Sequence, residues 1–322
     1  MKLQILYHGN CFDGVTSAAV FARFYVDHVR ADTHLTYRSM AHGQGDPYGP
    51  DHDATFWADE NVVVDFRYSP SPRLTWWCDH HHSAFIEPAD RDHFERHPQP
   101  RHRFDPAAPS CTGLLAGWLG TDHGFDIAPF REHVRWADVI DAARFTDPAQ
   151  AVELAEPALQ LMMLLESAPP DELTQQMLQG LSRGSLEQVH AEPAIQRTLE
   201  PVMARHRQTI EHFRRRMTVE QGVAYADLST DEVVGFNKFI PYYLQDNLRY
   251  TVVLTRSPQR AKVSVGSNPW HRPDPLTNIA DLCARHGGGG HAVVGALSTP
   301  PDQFERARQA SLEIAAVLRG EG

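Results

Sequence analysis

The residues best suited to chemistry follow a short apolar run. The run 76–78 ends abruptly in one carboxylate and three imidazoles, supplied by Asp79, His80, His81 and His82. An apolar run bounded by polar residues is typical of a buried strand, and ligands of open α/β sheets bind beyond the carboxyl ends of the strands. Carboxylate oxygen and imidazole nitrogen together suit divalent ions such as Mn²⁺, Zn²⁺, Fe²⁺ or Co²⁺. The cluster is therefore either a metal site or a solvated loop in a chain with 19 histidines.

Two other apolar runs end in the same residue types. The run 3–7 leads into His8 and Asp13, and the run 61–64 leads into Asp65. Taken singly, Asp13 is an ordinary helix N-cap and Asp65 a turn residue. Three predicted strands that each deliver an acid or a histidine at the carboxyl end favour a shared metal site instead.

Two motifs carry a resemblance to a known family. The triplet Asp79-His80-His81 matches the one that names the DHH phosphoesterase superfamily, and the run 287–291, four glycines and a histidine, resembles the glycine-rich signature of the DHHA1 domain that usually follows. The resemblance covers nearly the whole chain, with both motifs in the family's order. It implies a phosphoesterase built from two α/β domains.

The expected fold class is α/β with three parts. An N-terminal DHH catalytic domain over 1–150 is expected to hold a parallel sheet with helices on both faces. The pattern over 151–216 is helical throughout and predicts a connector. A smaller α/β DHHA1-like substrate-binding domain is expected over 217–322.

The first motif opens a strand-turn-helix unit. Gly14 precedes an Ala-rich predicted helix over 15–24, so the turn presents His8 and Asp13 beside a helix N-terminus, which also favours anions. The family motif commonly carries an Asp-x-Asp pair here, but Cys11 stands in place of the first acid. The thiol is either a soft ligand that favours Zn²⁺ or Fe²⁺, or inert.

A later predicted helix, 134–145, carries two acids three residues apart, Asp138 and Asp141. Positions i and i+3 share a helix face, and one of the two acids is expected to enter the site. The Ala-Asp-Val-Ile run resembles the family's fourth metal motif and makes Asp138 the first choice, with Asp141 second. An acid here could instead pair with Arg135 or Arg144.

The resemblance implies a two-metal site. The expected ligands are His8, Asp13, Asp65, Asp79, His80 and Asp138. Asp65 is expected to bridge two ions, with His8 and Asp13 mainly on one ion and the other three on the second. Mn²⁺ is the expected metal, with Mg²⁺, Zn²⁺, Fe²⁺ or Co²⁺ as alternatives. Asp65 and His81 are the expected catalytic residues, His81 contacting the phosphate or lying outside the ligand shell.

The glycine run is predicted to be a loop whose backbone amides approach a phosphate. A linker is the alternative. The expected substrate-binding residues are Gly288, Gly289, Gly290, His291, Ser267 and Asn268.

The remaining pattern predicts the supporting elements. Loops are expected over 42–58 and 86–109, and a helix over 110–119. Strands are expected over 222–228, 250–255, 261–266 and 292–297, and helices over 276–286 and 303–318.

Composition limits the partners. The formal charge of −11 disfavours a long nucleic-acid duplex, while a short phosphorylated substrate remains compatible. Four cysteines without CxxC spacing argue against a disulfide framework and indicate a reducing cytoplasm. No signal peptide or membrane-spanning run is apparent, so no membrane partner is expected. A homo-oligomer is compatible with the sequence.

The leading hypothesis is a phosphoesterase that hydrolyses phosphodiester or phosphomonoester bonds of short oligonucleotides, cyclic dinucleotides or nucleoside bisphosphate through metal-activated water. The alternatives are a phosphoanhydride hydrolase acting on pyrophosphate or polyphosphate, and a non-catalytic nucleotide-binding sensor. Four aromatic residues could stack on bases or simply belong to the core: Phe236, Tyr242, Tyr243 and Trp270.

Overall fold

The computed structural model describes residues 1–41, 48, 57–231, 233 and 235–321. Most of the predicted loop 42–58 lies outside these residues. The chain divides into two compact units, one formed by Met1–Phe145 and Ala155–Val202, the other by Thr146–Leu154 and Met203–Gly322. The predicted three-domain division stays a prediction.

The first unit contains a parallel sheet of five strands in the order β2-β1-β3-β4-β5. The strands are β1 (Lys2–His8), β2 (His34–Met40), β3 (Glu60–Val64), β4 (Trp76–Asp79) and β5 (His102–Phe104). Because β1, β3 and β4 are neighbours and parallel, their carboxyl ends lie side by side. This arrangement brings the three predicted acid and histidine motifs to one edge of the sheet.

Helices surround this sheet and continue into the second unit. They are α1 (Phe12–Phe24), α2 (Pro88–Arg96), α3 (Cys111–His123), α4 (Arg131–Asp141), α5 (Pro148–Glu153), α6 (Pro157–Glu166), α7 (Asp171–Leu181), α8 (Leu186–His190) and α9 (Pro193–Arg216). All residues of α1 except Arg23 are buried. A Cβ at Gly14 would lie 2.2 Å from the carbonyl oxygen of His8, so only glycine lets α1 begin directly against the end of β1.

Helix α2 corrects the prediction of a loop over 86–109. Glu87 and Asp90 form a capping box around its first turn, and Pro88 occupies the first position. Both features are sequence signals for a helix start. The many charged residues of this segment obscured them, because the helix buries no residue completely.

Both faces of the sheet are covered, as predicted. Neighbouring strand residues point to opposite faces, which separates Trp76 from Trp77. Trp76 packs against Phe21 of α1 and Trp118 of α3, with ring centroids 5.5 and 5.9 Å apart. Trp77 packs against Phe94 of α2 at 5.3 Å. Replacing either tryptophan by alanine would cost about 3–5 kcal/mol of stability.

The second unit contains a mixed sheet in the order β10-β11-β9-β8-β7-β6, in which only β7 and β8 pair in parallel. The strands are β6 (Met217–Glu220), β7 (Val223–Asp227), β8 (Tyr250–Arg256), β9 (Ala261–Ser267), β10 (Gly289–His291) and β11 (Val294–Thr299). Its further helices are α10 (Ile240–Leu244), α11 (Ile279–Ala284) and α12 (Phe304–Arg319). No helix in the described part of the chain has the length and apolar character to cross a bilayer.

The glycine run is not the predicted loop, because Gly289–His291 forms the edge strand β10. A Cβ at Gly288 or Gly290 would lie 2.3 Å from the carbonyl oxygens of Ala296 or Val294. The glycines therefore allow close backbone pairing with β11, which offsets their entropic cost. At Gly289 an added Cβ would meet no atom within 4 Å.

The buried His133 of α4 gives a testable link between pH and stability. Burial lowers its pKa from 6.5 to about 4. Between these values the unfolded chain binds a proton that the folded chain does not, so stability is lost as pH falls below 6.5. We expect His133→Leu to reduce the loss of unfolding free energy between pH 7 and pH 5 by about 2 kcal/mol, measured by urea denaturation. His97→Leu, at an exposed histidine, is the control. An unchanged pH dependence in His133→Leu would contradict the assignment.

Candidate metal centre

Asp65 lies at the centre of the converging strand ends. It follows β3 directly, is 0% exposed and has a φ of 56°. Its backbone amide donates a hydrogen bond of 2.9 Å to the carbonyl oxygen of Cys78 on the neighbouring strand. A left-handed backbone conformation is costly for a non-glycine residue, and so is the burial of a carboxylate. Residues that combine the two are typical of functional positions.

Two groups of donor atoms share Asp65. One group is His8, Asp65 and His81, and the other is Asp13, Asp65 and His80; within each group the donor atoms lie within 4.8 Å of one another. The Oδ2 atom of Asp65 lies 3.4 Å from Nδ1 of His8, and its Oδ1 atom lies 3.6 Å from Nε2 of His80. Its Oδ1 atom also lies 3.6 Å from Nδ1 of His81, so the Asp65 carboxylate lies beside donors of both groups, as a bridging ligand requires.

Several of these atoms lack hydrogen-bond partners within the described residues. They are both carboxylate oxygens of Asp65, Nε2 of His80 and Oδ2 of Asp79, and all are buried. A buried polar atom without a partner costs about 1–3 kcal/mol, and more if it is charged. Divalent cations would satisfy oxygen and nitrogen donors of this kind, so the residues present fit a metal centre.

The acids and imidazoles of the centre alter each other's proton affinity. Burial, followed by the charge of Asp13, raises the pKa of Asp65 well above its ordinary value. Burial alone would lower the pKa of His80, but the Asp65 carboxylate, 3.6 Å from Nε2, and the charge of Asp13 raise it to about 10. Metal binding to such carboxylates and imidazoles competes with protons and is therefore pH-dependent.

Asp79 orients its neighbours in the triplet. Its Oδ1 atom accepts hydrogen bonds from the amides of His80 and His81 at 2.8 and 3.2 Å, and from Nδ1 of His81 at 2.8 Å. Burial would lower the pKa of His81, but Asp79 and the charge of Asp65 raise it to about 9. Metal ligation by Asp79 stays a prediction. Its Oδ2 atom is buried without a hydrogen-bond partner among the described residues and could bind an ion.

The donor groups in the structure combine the predicted ligands differently from the predicted sharing between two ions, and the sharing itself stays a prediction. His8 and Asp13 were expected on one ion, but Asp13 lies with His80, with 3.5 Å between its Oδ2 atom and Nε2 of His80. His81, predicted to lie outside the ligand shell, is the residue grouped with His8 and Asp65. Asp13 is not the N-cap of α1, since that position belongs to Cys11.

The second acid of α4, not the first, reaches the centre. Asp141 Oδ2 lies 3.4 Å from Nε2 of His80, and burial raises the pKa of Asp141 to about 6. Asp138 instead accepts a hydrogen bond of 2.6 Å from Ser110, the N-cap residue of α3. The geometry therefore favours Asp141, the second choice, and metal ligation by either acid stays a prediction. The choice depends on the rotation of α4 about its axis, which the i, i+3 spacing does not determine.

Cys11 lies beside the centre without joining either donor group within the described residues. Burial, followed by the charges of Asp65 and Asp13, raises the pKa of its thiol well above the ordinary value. A protonated thiol is a poor metal ligand. Because a bound metal ion would itself deprotonate a coordinating thiol, the choice between a soft ligand and an inert residue stays a prediction.

Asp13 is held by residues that the sequence analysis missed. Its carboxylate accepts hydrogen bonds from the amides of Cys111 and Thr112 at 2.7 and 2.8 Å, and from the Thr112 hydroxyl at 2.6 Å. These donors form the N-terminus of α3 and lie almost a hundred positions from Asp13 in the chain. The only sequence signal was Ser110 as a helix N-cap.

In the second unit, two predicted substrate residues are used inside the fold. The Asn268 side chain donates to the carbonyl of Leu248 at 2.7 Å and accepts from the amides of Trp270 and His271. The Ser267 hydroxyl donates to the carbonyl of Val293 at 3.1 Å. Gly289, Gly290 and His291 are exposed and Gly288 is half-buried, and their contact with substrate stays a prediction.

The four aromatic residues considered for base stacking differ in their environment. Tyr242 is 4% exposed and its hydroxyl lies 3.3 Å from that of Thr251, so it belongs to the core. Trp270 is half-buried and packs edge-on against Phe239 and Tyr242. Phe236 packs against Phe213. Stacking on a base stays a prediction for Trp270 and Tyr243, both half-buried.

Comparison with solved structures identifies the fold. A pGpG-specific phosphodiesterase, PggH from Vibrio cholerae, superposes with a TM-score of 0.72 at 18% identity, over 100% of each chain. An exopolyphosphatase-related protein from Bacteroides fragilis gives 0.49 at 13% identity, over 99% of this chain and 93% of that one. RecJ from Thermus thermophilus, in complex with Mn²⁺, gives 0.45 at 16% identity, over 98% of this chain and 52% of its own. No protein-family model and no curated protein sequence matches the chain.

A pair of matched substitutions on α4 tests the placement of its acids. Asn keeps the Oδ1 acceptor but removes the negative charge, so Asp141→Asn should weaken Mn²⁺ binding by at least about 10-fold, the smallest effect typical of groups around a metal. Asp138→Asn should leave Mn²⁺ affinity close to that of the wild type, since Ser110 can still donate to it. Titration calorimetry measures both affinities. A larger loss in Asp138→Asn would restore Asp138 as the ligand.

Proposed function

Because the chain has the fold of the DHH phosphoesterase superfamily, we propose that it is a divalent-metal-dependent phosphoesterase that hydrolyses short nucleotides. The observation that carries the proposal is the buried Asp65, whose carboxylate is shared by two donor groups. A pair of cations bridged by a carboxylate is the arrangement used for in-line displacement at phosphorus.

The ligand roles follow from the contacts. In the group of His8, Asp65 and His81, we assign His8 and Asp65 to one ion and keep His81 for proton transfer. Asp13, Asp65, His80 and Asp141 would hold the other ion. Bound there, divalent ions lower the pKa of water and neutralise charge on phosphoryl oxygens. The protein fixes its ligands by backbone hydrogen bonds to Asp13 and by the left-handed turn at Asp65. Neither depends on mobile surface side chains.

His81 is suited to donate a proton to the leaving oxygen. Its Nδ1 atom is engaged by Asp79 at 2.8 Å, so Nε2 is the ring nitrogen assigned to the substrate. In the metal-free protein, Asp79 and Asp65 raise the pKa of His81 to about 9 against the effect of burial, so both carboxylates favour the protonated imidazole. The side chain is 29% exposed, whereas that of Asp79 is fully buried. A half-exposed acid held by a buried carboxylate is the arrangement that general acid catalysis needs.

The proposed substrate class is a short linear dinucleotide, with pGpG as the first choice. The support is the likeness to PggH along the full length of both chains. The formal charge of −11 adds to it, since a long polyanion would be repelled while a short one can be held by local cations. Mn²⁺ is the proposed metal, with Mg²⁺, Zn²⁺, Fe²⁺ and Co²⁺ as alternatives.

A substrate panel tests this function. Purified protein with Mn²⁺ is assayed against pGpG, other di- to pentanucleotides, cyclic dinucleotides, nucleoside bisphosphate, pyrophosphate and a long duplex. We expect hydrolysis of dinucleotides that requires metal, and a loss of several orders of magnitude in Asp65→Asn, because that variant removes the shared charge. Hydrolysis of pyrophosphate alone would make the protein a phosphoanhydride hydrolase. Nucleotide binding without any hydrolysis would make it a sensor.

The role of His81 has its own test. We expect His81→Gln to lower kcat for a dinucleotide by roughly 100- to 10,000-fold, the usual value of a general acid. A nitrophenyl phosphodiester should lose much less, because its leaving group departs without a proton. His82→Gln, at the exposed neighbour, is the matched control. Equal losses on both substrates would assign His81 to substrate or metal binding instead.

A further inference from the structure

Residues at the N-terminus of α3 give the two carboxylate oxygens of Asp13 different hydrogen-bond partners. Asp13 is 0% exposed. Its Oδ1 atom accepts from both the amide and the hydroxyl of Thr112, at 2.8 and 2.6 Å. Its Oδ2 atom accepts from the amide of Cys111 at 2.7 Å and also faces Nε2 of His80 at 3.5 Å. Only Oδ2 is therefore directed at the other proposed ligands.

The Thr112 hydroxyl has a defined direction. It has one proton, and its shortest contact with an acceptor is the 2.6 Å hydrogen bond to Oδ1 of Asp13. The Ser17 hydroxyl lies 3.0 Å from that of Thr112 and 3.5 Å from Oδ1 of Asp13, so it can donate to Thr112. Thr112 and Ser17 are both 0% exposed, so water does not compete for these bonds.

We infer that Thr112 is a positioning residue of the metal centre, an inference that rests on the proposed metal-dependent function. By saturating Oδ1, the Thr112 amide and hydroxyl restrict Asp13 to monodentate ligation through Oδ2. Without the hydroxyl, Asp13 keeps its two amide donors, but Oδ1 loses its shortest hydrogen bond, and the lone pair so released can compete with Oδ2 for the metal ion. Partners of this kind, which hold a ligand rather than the metal, are typically worth roughly 10- to 100-fold in metal affinity.

The test is the Mn²⁺ affinity of the whole chain, measured from the electron paramagnetic resonance signal of free Mn²⁺. Valine has nearly the shape of threonine, so Thr112→Val removes the hydroxyl and keeps the amide. We expect it to weaken Mn²⁺ binding by roughly 10- to 100-fold, and Thr112→Ser to restore wild-type affinity. Thr121→Val is the matched control, because this exposed hydroxyl of the same helix bonds only to Gly117, Trp118 and Asp122 among the described residues.

Each outcome decides the inference. Wild-type affinity in a folded Thr112→Val, or a loss in Thr112→Ser as large as that in Thr112→Val, overturns it while leaving the metal centre in place. A wild-type protein that binds no Mn²⁺ overturns both this inference and the proposed function. If Thr112→Val does not fold, as judged by circular dichroism, Ser17→Ala replaces it. A smaller loss of Mn²⁺ affinity is then expected, and unchanged affinity overturns the inference.

Discussion

The structure depends on keeping a carboxylate buried and strained at the end of a strand. Asp65 has no exposed surface, and its φ of 56° places it in a region that a non-glycine residue occupies at a cost. Three further acids, Asp13, Asp79 and Asp141, lie close by, and such a concentration of negative charge would separate if nothing compensated for it. Other residues of the first unit stabilise this concentration of negative charge.

The compensation is built into the backbone. The amides at the start of α3 bind Asp13, the amides of the triplet bind Asp79, and the carbonyl of Cys78 holds the amide of Asp65. The Cys111 thiol donates to the same Cys78 carbonyl at 3.2 Å, so α3 supports both Asp13 and the turn at Asp65. Since backbone dipoles are fixed by secondary structure, the acids keep their positions whether their charge is balanced by protons or by metal.

The parts of the site that the sequence predicts are those set by local pattern. Apolar runs that end in His8, Asp65 and Asp79 predict strand ends, and the parallel pairing of β1, β3 and β4 then brings them together. Strand β2 was missed because its residues are polar and partly exposed, so that its place in the sheet comes from pairing with β1. Where the residue pattern is weak, tertiary contacts determine whether a segment forms a strand.

The parts that the sequence does not predict depend on rotation or on distant contacts. Asp138 and Asp141 have the same residue type on one helix, and the burial of Trp136 and Ala137 fixes which of them faces His80. Thr112 carries no pattern at all, since its hydroxyl acts on a residue 99 positions away. Residues that position a ligand without binding the metal are difficult to predict from one sequence, because the fold determines which distant residue each of them contacts.

The charge of the chain gives the proposed metal a second role. A nucleotide approaching a protein of formal charge −11 meets repulsion, and the buried acids strengthen it near the site. The imidazolium of His81 offsets only part of this charge, because Asp79 and Asp65 neutralise it. Divalent ions bound there would reverse the local sign of the potential, so the proposed function requires metal to bind before the phosphate is attracted. In the proposed function, substrate affinity and metal occupancy would therefore be thermodynamically linked.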